Sequence, residues 1–267
     1  MADLIVVKSL TKYNSDMVEA HDLNGIDFSV EKGEFVGLFG PSGSGKTALL
    51  NVISGIENPT GGMAYVDGRD ITKMARDELV LFRRQKIGYI FKDFNLLDSL
   101  TVKENIALPL TLEGKPTSEI NEIVEGMMDF FGIEELAEIP PNYLTGEQKQ
   151  RVSAARAMVV NPVVCYANEP TGHLDSAASA NIMEMLTVMN ANSGTTILMA
   201  TNDAVTASYC KRVIFINDGI ITAELKRTGT RQEFLSQILS TYIEEDTFKG
   251  DFSNDLPPVD TETFEEE

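Results

Sequence analysis

Residues 40–47 read GPSGSGKT, and this glycine-rich stretch constrains the fold more than any other part of the chain. The apolar run EFVGLFG precedes it, and the amphipathic stretch that follows predicts a helix over residues 47–54. Glycines here let backbone N–H groups turn inward around phosphate oxygens without side-chain clashes. The helix then points its positive end at the same charge. The pattern therefore predicts a strand, a phosphate-binding loop and a helix.

Two side chains of this loop have predicted roles toward a bound nucleotide. Lys46 reaches the β- and γ-phosphates, and the Thr47 hydroxyl faces a metal ion. The residues predicted to hold the phosphates are Gly40, Ser42, Gly43, Ser44, Gly45, Lys46 and Thr47. With a strand before it and a helix after it, the loop indicates a nucleotide-binding protein.

Apolar runs and helical periods alternate along the rest of the chain. Strands are predicted at residues 4–7, 26–30, 34–40, 63–66, 87–91, 163–167, 196–200 and 213–216. Strands that alternate with helices imply an α/β fold with a parallel sheet. From about residue 94 to 160 the pattern is helical, so a helical region is predicted between the early and the late strands of the sheet.

Composition limits the domain count and the classes of ligand. With 267 residues and 43% apolar side chains, the chain is one large domain, or one domain with an inserted subdomain and a tail. Its net charge of −19 argues against nucleic acid as a partner, because phosphate would be repelled. Ten of the acidic residues lie in 244–267, which predicts a disordered, solvated tail. The alternative is a docking tail anchored by Phe248, Phe252 and Phe264.

The cysteines and the apolar segments indicate a reducing compartment and no membrane span. Cys165 and Cys210 lie in apolar stretches, which predicts buried thiols rather than a disulfide. The opening MADLIVVKSLTKY has no cleavage-site pattern. No run of about eighteen apolar residues occurs, so membrane association is expected only through a partner.

Three further stretches resemble the ATP-binding subunits of ABC transporters. RRQKIGYIFKDFNLLDSLTVKENIALPL is similar to the family's glutamine-loop region. PPNYLTGEQKQRVSAARAMVVNPVVCYANEPTGHLD is similar to its signature, second acidic motif and following loop, and TTILMATNDAVTASYCKRVIFINDG to its histidine-loop segment. The resemblance covers about residues 4–225. It points to the group that serves lipoprotein release, macrolide export, peptide-antibiotic resistance and the cell-division permease.

The resemblance implies a P-loop NTPase of the ABC type, with a parallel-sheet core, an antiparallel β subdomain and an inserted helical subdomain. The nucleotide-binding domain would span residues 1–243 and the tail 244–267. Two subunits would face each other, with ATP between one subunit's phosphate loop and the other's signature. The signature consists of Leu144, Thr145, Gly146, Glu147 and Gln148, and the D-loop residue is Asp175. Tyr13 stands where the family's aromatic stacks on adenine; the alternative is a strand-end tyrosine packed on the β subdomain.

Two positions that serve the metal in the family are changed. Asn168 replaces an aspartate and offers only a neutral carbonyl oxygen to magnesium. Lys92 replaces a glutamine, and an ammonium has no lone pair with which to ligate a metal. Glu169, which matches the family's general base for the attacking water, is retained.

Two further positions depart from the family pattern. Asn202 replaces a histidine that contacts the γ-phosphate, and a loss of roughly 10²–10⁴-fold in rate is typical for such a group. Glu147 replaces a glycine of the usual LSGGQ signature and adds bulk and negative charge near the partner's γ-phosphate. The alternative is a Glu147 side chain that turns outward to solvent.

The changes at Asn168 and Lys92 each raise the charge of the site by one unit relative to the family, and the total change of +2 equals the charge of a magnesium ion. The hypothesis is that Lys92 stands in for magnesium, so that ATP binds with the metal weakly held by Thr47 or dispensable. Hydrolysis would then be impaired or absent. The alternatives are a decayed, empty pocket and an ordinary ATP-hydrolysing transport ATPase that drives export or lipid or peptide extraction.

The resemblance also implies partners and a location. A membrane permease and a second nucleotide-binding subunit, identical or different, are expected, with no nucleic acid. The chain would be cytoplasmic and peripheral at the inner face of the cell membrane, held there by the permease. A soluble ABC protein of translation or DNA repair is disfavoured, because those usually carry two cassettes or a long coiled coil.

Overall fold

The computed structural model describes residues 3–13 and 21–250, in which ten strands form two sheets. The strands are β1 (Asp3–Tyr13), β2 (His21–Glu31), β3 (Phe35–Phe39), β4 (Gly61–Val66), β5 (Arg69–Asp70), β6 (Ile87–Ile90), β7 (Val164–Asn168), β8 (Thr196–Thr201), β9 (Arg212–Asn217) and β10 (Ile220–Lys226). The helices of the described part are α1 (Lys46–Ile53), α2 (Arg76–Lys86), α3 (Val102–Leu112), α4 (Thr117–Phe131), α5 (Gly146–Met158), α6 (Ser176–Ser193), α7 (Ala204–Ala207) and α8 (Arg231–Gly250). Two 3₁₀ turns, Glu134–Leu136 and Pro141–Tyr143, precede α5.

The larger sheet has six strands in the order β10–β9–β3–β8–β7–β6. Its strands pair in parallel except for β10, which is antiparallel to β9. Every residue of β3 and β8 is buried, as is typical of parallel strands covered on both faces. Strand β3 ends directly before the glycine-rich loop, and the carboxyl ends of β7 and β8 lie at the same edge. Ligands of open α/β sheets bind at this edge.

The smaller sheet has four antiparallel strands in the order β2–β1–β4–β5. Its inner face packs with α1 and one face of the larger sheet in a common apolar core. The second apolar core lies on the opposite face of the larger sheet and includes the helices α3 to α6. The parallel core, the antiparallel subdomain and the helical insertion between β6 and β7 confirm the predicted fold class.

Capping residues read from the sequence explain where the helices of the insertion and its surroundings begin and end. Thr101 and Glu104 form a capping box at the start of α3. Gly132 ends α4 in the left-handed conformation, and Gly194 does the same for α6. Asp175 begins α6 by accepting a hydrogen bond from the backbone N–H of Ala178. These local signals make the helix boundaries readable without the tertiary structure.

The predicted start of the irregular tail at residue 244 is wrong for residues 244–250. Helix α8 runs on to Gly250. Apolar side chains four residues apart hold its part before residue 244 to the core. Phe234 and Ile238 are buried, and the ring of Tyr242 contacts that of Phe39 with 5.4 Å between centroids. From residue 251 onward the tail, with the docking anchors Phe252 and Phe264, lies outside the described residues.

The two cysteines are buried and unpaired, which confirms the sequence prediction. Burial raises the pKa of the Cys165 thiol to about 12 and raises the pKa of the Cys210 thiol further. Within residues 3–13 and 21–250, the helices are too short or too polar to cross a membrane.

Candidate functional site

The phosphate loop depends on glycines where the backbone passes close to other main-chain segments. A Cβ at Gly40 would clash with the carbonyl oxygen of Ile216, and one at Gly45 would clash with that of Asp22. Gly45 also has φ +99°, a left-handed conformation that disfavours side chains. It is the N-cap of α1, whose first N–H groups have no helical partner and so suit an anion. The loop is therefore built as a phosphate cradle, as the sequence predicts.

Lys46 is buried and turned back onto the loop. Its ammonium donates hydrogen bonds to the carbonyl oxygens of Gly40 at 2.8 Å and Pro41 at 2.6 Å, and to the Ser44 hydroxyl at 3.1 Å. Burial lowers the pKa of Lys46. A buried cation satisfied only by neutral oxygens is well suited to gain from an incoming phosphate. Of the other loop residues, Ser42, Gly43 and Thr47 face solvent.

The two side chains expected beside a metal contact each other directly. The Thr47 hydroxyl donates a hydrogen bond to the Asn168 carbonyl oxygen at 3.1 Å. Asn168 is the last residue of β7, which lies two strands away from β3 in the sheet. Thr47 and Asn168 thus lie side by side and present two neutral oxygens to a cation, and their predicted roles stay predictions.

Lys92 pairs with Glu169, the candidate general base. Its ammonium donates to the Glu169 carboxylate at 2.6 Å, and this hydrogen bond raises the pKa of Lys92. The Glu169 side chain is 13% exposed and that of Lys92 is 43% exposed. The Glu169 backbone is left-handed (φ 44°), with its N–H bonded to the Ala200 carbonyl. The sequence motifs do not predict that Lys92 and Glu169 pair; the structure shows the contact.

A second pair extends this contact between the same two segments. Asp93, which follows Lys92, accepts a hydrogen bond from the His173 ring at 2.9 Å. The guanidinium of Arg156 in α5 then binds the carbonyl oxygens of Phe94 and Asn95. The loop after β6 is thus tied both to the Glu169 segment and to the helical region.

Lys92, Asn168 and Glu169 line one cavity of about 530 Å³ together with residues of the phosphate loop. Asp22, Asn51, Glu57 and Asp93 are among its lining residues, and sequence reasoning does not single them out. Asn51 donates to Glu57 at 2.8 Å, and Lys12 pairs with Glu57 at 3.3 Å. Asp22 and Glu57 belong to none of the sequence motifs. Only the folded structure shows that they line the cavity beside the phosphate loop.

The residues present do not suit a magnesium ion. Magnesium prefers anionic oxygens in an octahedral arrangement, and here Thr47 and Asn168 offer neutral oxygens. The nearby Glu169 carboxylate is bound by the Lys92 ammonium. Among the residues that the structure describes, no three His, Cys, Asp or Glu side chains come together as a metal site. Thr47 and Asn168 therefore present no anionic ligand to a divalent cation, and the weak metal binding expected from the sequence stays a prediction.

Asn202 does not line the phosphate-loop cavity. It is exposed and lines a neighbouring cavity of about 360 Å³, together with Glu169 and Thr171. Asp203 beside it is engaged at the start of α7, where it accepts hydrogen bonds from the Val205 and Thr206 backbone. Asn202 is thus adjacent to Glu169 but separated from Lys46 and Thr47, and its predicted role stays a prediction.

The signature forms the N-terminus of α5 and lies on a different cavity. The Thr145 hydroxyl accepts from the Gln148 N–H, and the Gln148 side chain accepts from the Thr145 N–H. Leu144 is buried and Gly146 is the first helical residue. In one chain, the signature and the phosphate loop share no cavity, in keeping with a nucleotide held between two copies.

Glu147 does not swing out into solvent. Its carboxylate accepts from the Arg151 guanidinium at 2.5 Å and 3.2 Å and from the Asn181 amide at 3.2 Å. The hydrogen bond from Arg151 lowers the pKa of Glu147. The negative charge is therefore fixed beside the signature and partly neutralised. Arg151 follows Glu147 by four residues on a helix, a spacing that could have been read from the sequence.

Two remaining predicted site residues lie at the edges of the molecule. Tyr13 is the last residue of β1, with 48% of its surface exposed, and pairs across the sheet with His21. Asp175 is exposed at the N-terminus of α6, where its carboxylate caps the helix. Both are accessible to a ligand or a partner, and their predicted roles stay predictions.

Comparison with known proteins places this geometry in a family. Residues 23–172 match the model of the ABC transporter family. The chain is 44% identical to the ABC transporter ATP-binding protein YxdL of Bacillus subtilis, over 97% of this chain and 99% of that protein. It is 43% identical to the bacitracin export ATP-binding protein BceA of Halalkalibacterium halodurans, over 90% and 96% of the two chains.

A solved structure has the same architecture. The ATP-binding cassette MJ0796, in a dimeric post-hydrolysis state bound to ADP and Pi, superposes with a TM-score of 0.79. It is 35% identical, and the match covers 85% of this chain and 100% of the other. The motifs, the fold and the relatives agree: the chain belongs to the ABC transporter family, as an ATP-binding cassette.

Proposed function

We propose that this chain is the ATP-binding subunit of a membrane transporter, and that it holds ATP with impaired or absent hydrolysis. It would pair with a second cassette and with a separate permease at the inner face of the cell membrane. The name of the relative BceA supports an export role, and the family supports ATP as the ligand. In this proposal the chain binds the nucleotide and does not select the cargo.

The observation that carries the proposal is the 2.6 Å ion pair between Lys92 and Glu169. A general base must accept a proton from the attacking water, at hydrogen-bond distance. One Glu169 carboxylate oxygen already accepts a hydrogen bond from the Lys92 ammonium, so the carboxylate is less free to accept the proton of a water molecule. Lys92 also brings a fixed positive charge into the cavity that contains Lys46 and Thr47. This arrangement favours holding a triphosphate over splitting it.

We therefore expect ATP to bind this chain equally well with magnesium and with excess chelator. The cation that would normally offset the phosphate charge is replaced by the Lys92 ammonium. Titration calorimetry on the purified full chain measures both affinities. In a Lys92→Gln variant, affinity should fall more in chelator than in magnesium, because the fixed charge is gone. A strict magnesium requirement in the unaltered chain contradicts the proposal.

An ordinary transport ATPase is the second candidate, and one observation favours it. The Lys92 side chain is 43% exposed, so it can leave Glu169 when a nucleotide enters. Turnover of the reconstituted complex, compared with a Glu169→Gln variant, separates the two candidates. A rate of roughly 1 s⁻¹ or more that the variant loses establishes the ordinary ATPase. Equal, slow rates support the impaired enzyme.

A groove between α2, α3 and α5 supports the expected attachment to a permease. It has a volume of about 490 Å³ and combines exposed apolar residues, Val80 and Leu112, with three arginines, Arg83, Arg84 and Arg156. The arginines bind backbone carbonyl oxygens, and none forms a salt bridge with a carboxylate of the described chain. Burial lowers the pKa of Arg83 and of Arg156. We propose a short permease segment with an acidic side chain as the occupant.

Reversing one charge in this groove should detach the permease. Arg84→Glu is expected to reduce recovery of the permease with this chain at least ~10-fold, as for loss of a charge pair at an interface. ATP affinity should stay unchanged, since the groove is separate from the phosphate loop. Arg76→Glu makes the same charge change on the exposed start of α2, outside the groove, and should have no effect. Equal recovery with both variants contradicts the assignment.

A further inference from the structure

Tyr143 is exposed to an unusual degree for an aromatic residue. Its accessible fraction is 76%, larger than that of any other exposed large apolar residue in the described part of the chain. The ring makes no hydrogen bond or ring contact with other described residues. Aromatic side chains seldom face solvent without a partner when the backbone beneath them is rigid. The residue stands directly before the signature.

The backbone that carries this ring is held firmly. Pro140 and Pro141 restrict the chain at the start of the 3₁₀ turn, and the N–H of Tyr143 bonds to the Pro140 carbonyl at 3.2 Å. The following Leu144 is buried and bonds to the Pro141 carbonyl at 3.1 Å. The ring is thus presented from a rigid turn, which keeps the entropic cost of binding small.

Tyr143 and Thr145 are both exposed and lie on either side of the buried Leu144. Leu144 is extended, with ψ of 151°. Leu144 points into the core, so its neighbours point out. The two Cα atoms are roughly 7 Å apart at two extended residues. The long Tyr143 side chain can extend from the terminal phosphate of a nucleotide toward the base of the same nucleotide.

We propose that Tyr143 stacks on the adenine of the nucleotide held by the partner cassette, opposite the partner's own adenine platform at Tyr13. This inference rests on the proposed function, because it needs ATP between two cassettes. The signature cavity carries the carboxylates of Glu134, Glu135 and Glu147 and the guanidinium of Arg151, which leaves it with a net negative charge that disfavours phosphate. The base of the nucleotide is neutral and is not repelled by these carboxylates. Stacking of Tyr143 on the base would therefore attract the nucleotide to a signature that repels its phosphates.

The chain contains no tryptophan, so Tyr143→Trp places a single indole reporter at this position. The indole must be shown to contact nucleotide bound by the partner chain and not by its own chain. Tyr143→Trp is therefore combined with Lys46→Ala, which removes the nucleotide site of the chain that carries the indole. We expect ATP to quench this indole only after chains with the natural Tyr143 and Lys46 are added, and in proportion to them. Quenching without the added chains overturns the proposal.

Tyr143→Ala gives the second measurement, in the otherwise natural full chain. The ATP concentration for half-maximal dimer formation, read by sedimentation, should rise roughly 5–150-fold, and Tyr143→Phe should leave it unchanged. CTP-driven dimers should suffer less, because a pyrimidine stacks less. Equal weakening with ATP and CTP means a protein contact and overturns the proposal. If calorimetry finds ATP bound but the indole unquenched in ATP-driven dimers, only this inference fails; if no ATP binds, the proposed function fails with it.

Discussion

Restoring the family residues at two positions is expected to raise ATP hydrolysis by about 10²-fold or more. In the double variant Asn168→Asp with Lys92→Gln, an anionic oxygen returns beside Thr47 and the ammonium leaves Glu169. The general base and the metal position recover together, and each is typically worth ~10²–10⁴-fold in rate. Steady-state turnover of the complex, with and without magnesium, measures the gain.

The gain should depend on magnesium and on Glu169. Adding Glu169→Gln to the double variant should return turnover to the level of the natural chain. Asn168→Asp alone should gain little, because the new carboxylate would lie beside the Lys92 ammonium and pair with it. Such neighbouring changes are not additive. An unchanged rate in the double variant would show that other departures, at Asn202 or Glu147, limit the reaction.

The second large effect is expected at Gly45. In Gly45→Ala, the new Cβ meets the Asp22 carbonyl oxygen, and the backbone is held at φ +99°. The loop must shift, and ATP affinity should fall roughly 100-fold or more, which corresponds to about 3 kcal/mol. Calorimetry measures the affinity, and a thermal melt shows whether the fold persists.

Gly43 offers a matched control in the same loop. It too has a left-handed backbone, φ +82°, but a Cβ there meets nothing within 4 Å. Gly43→Ala should therefore cost only the conformational term, about 1–2 kcal/mol. Equal losses of affinity in the two variants would mean that the backbone angle, and not the approach of Asp22, constrains the loop.

Most of the fold could be predicted because its signals are local. The runs that form β3, β7, β8 and β9 are short, apolar and bounded by polar residues, and their predicted positions agree with the structure to within one or two residues. The helical insertion was predicted from its periodicity. The continuation of α8 to Gly250 was not predicted, because residues 244–250 show no helical period in the sequence. Phe234, Ile238 and Tyr242 hold the earlier turns of this helix to the core.

The candidate site also has a part that the sequence predicts and a part that only the structure shows. The phosphate loop and its neighbour Asn168 follow from motifs, since glycine spacing and parallel strand ends place them together. The pairing of Lys92 with Glu169 and of Glu147 with Arg151 and Asn181 depends on side-chain directions that no motif encodes. Asp22 and Glu57 reach the cavity only because β2 and the segment after α1 fold against the loop.

By itself, the sequence determined the family, the phosphate cradle and the chemical identity of four altered positions, because each rests on residue type and spacing along the chain. Tertiary structure alone decided what those positions do to one another. An ammonium 77 residues from a carboxylate in the chain binds it at 2.6 Å, and the strength of such a pair depends on distance and burial in space.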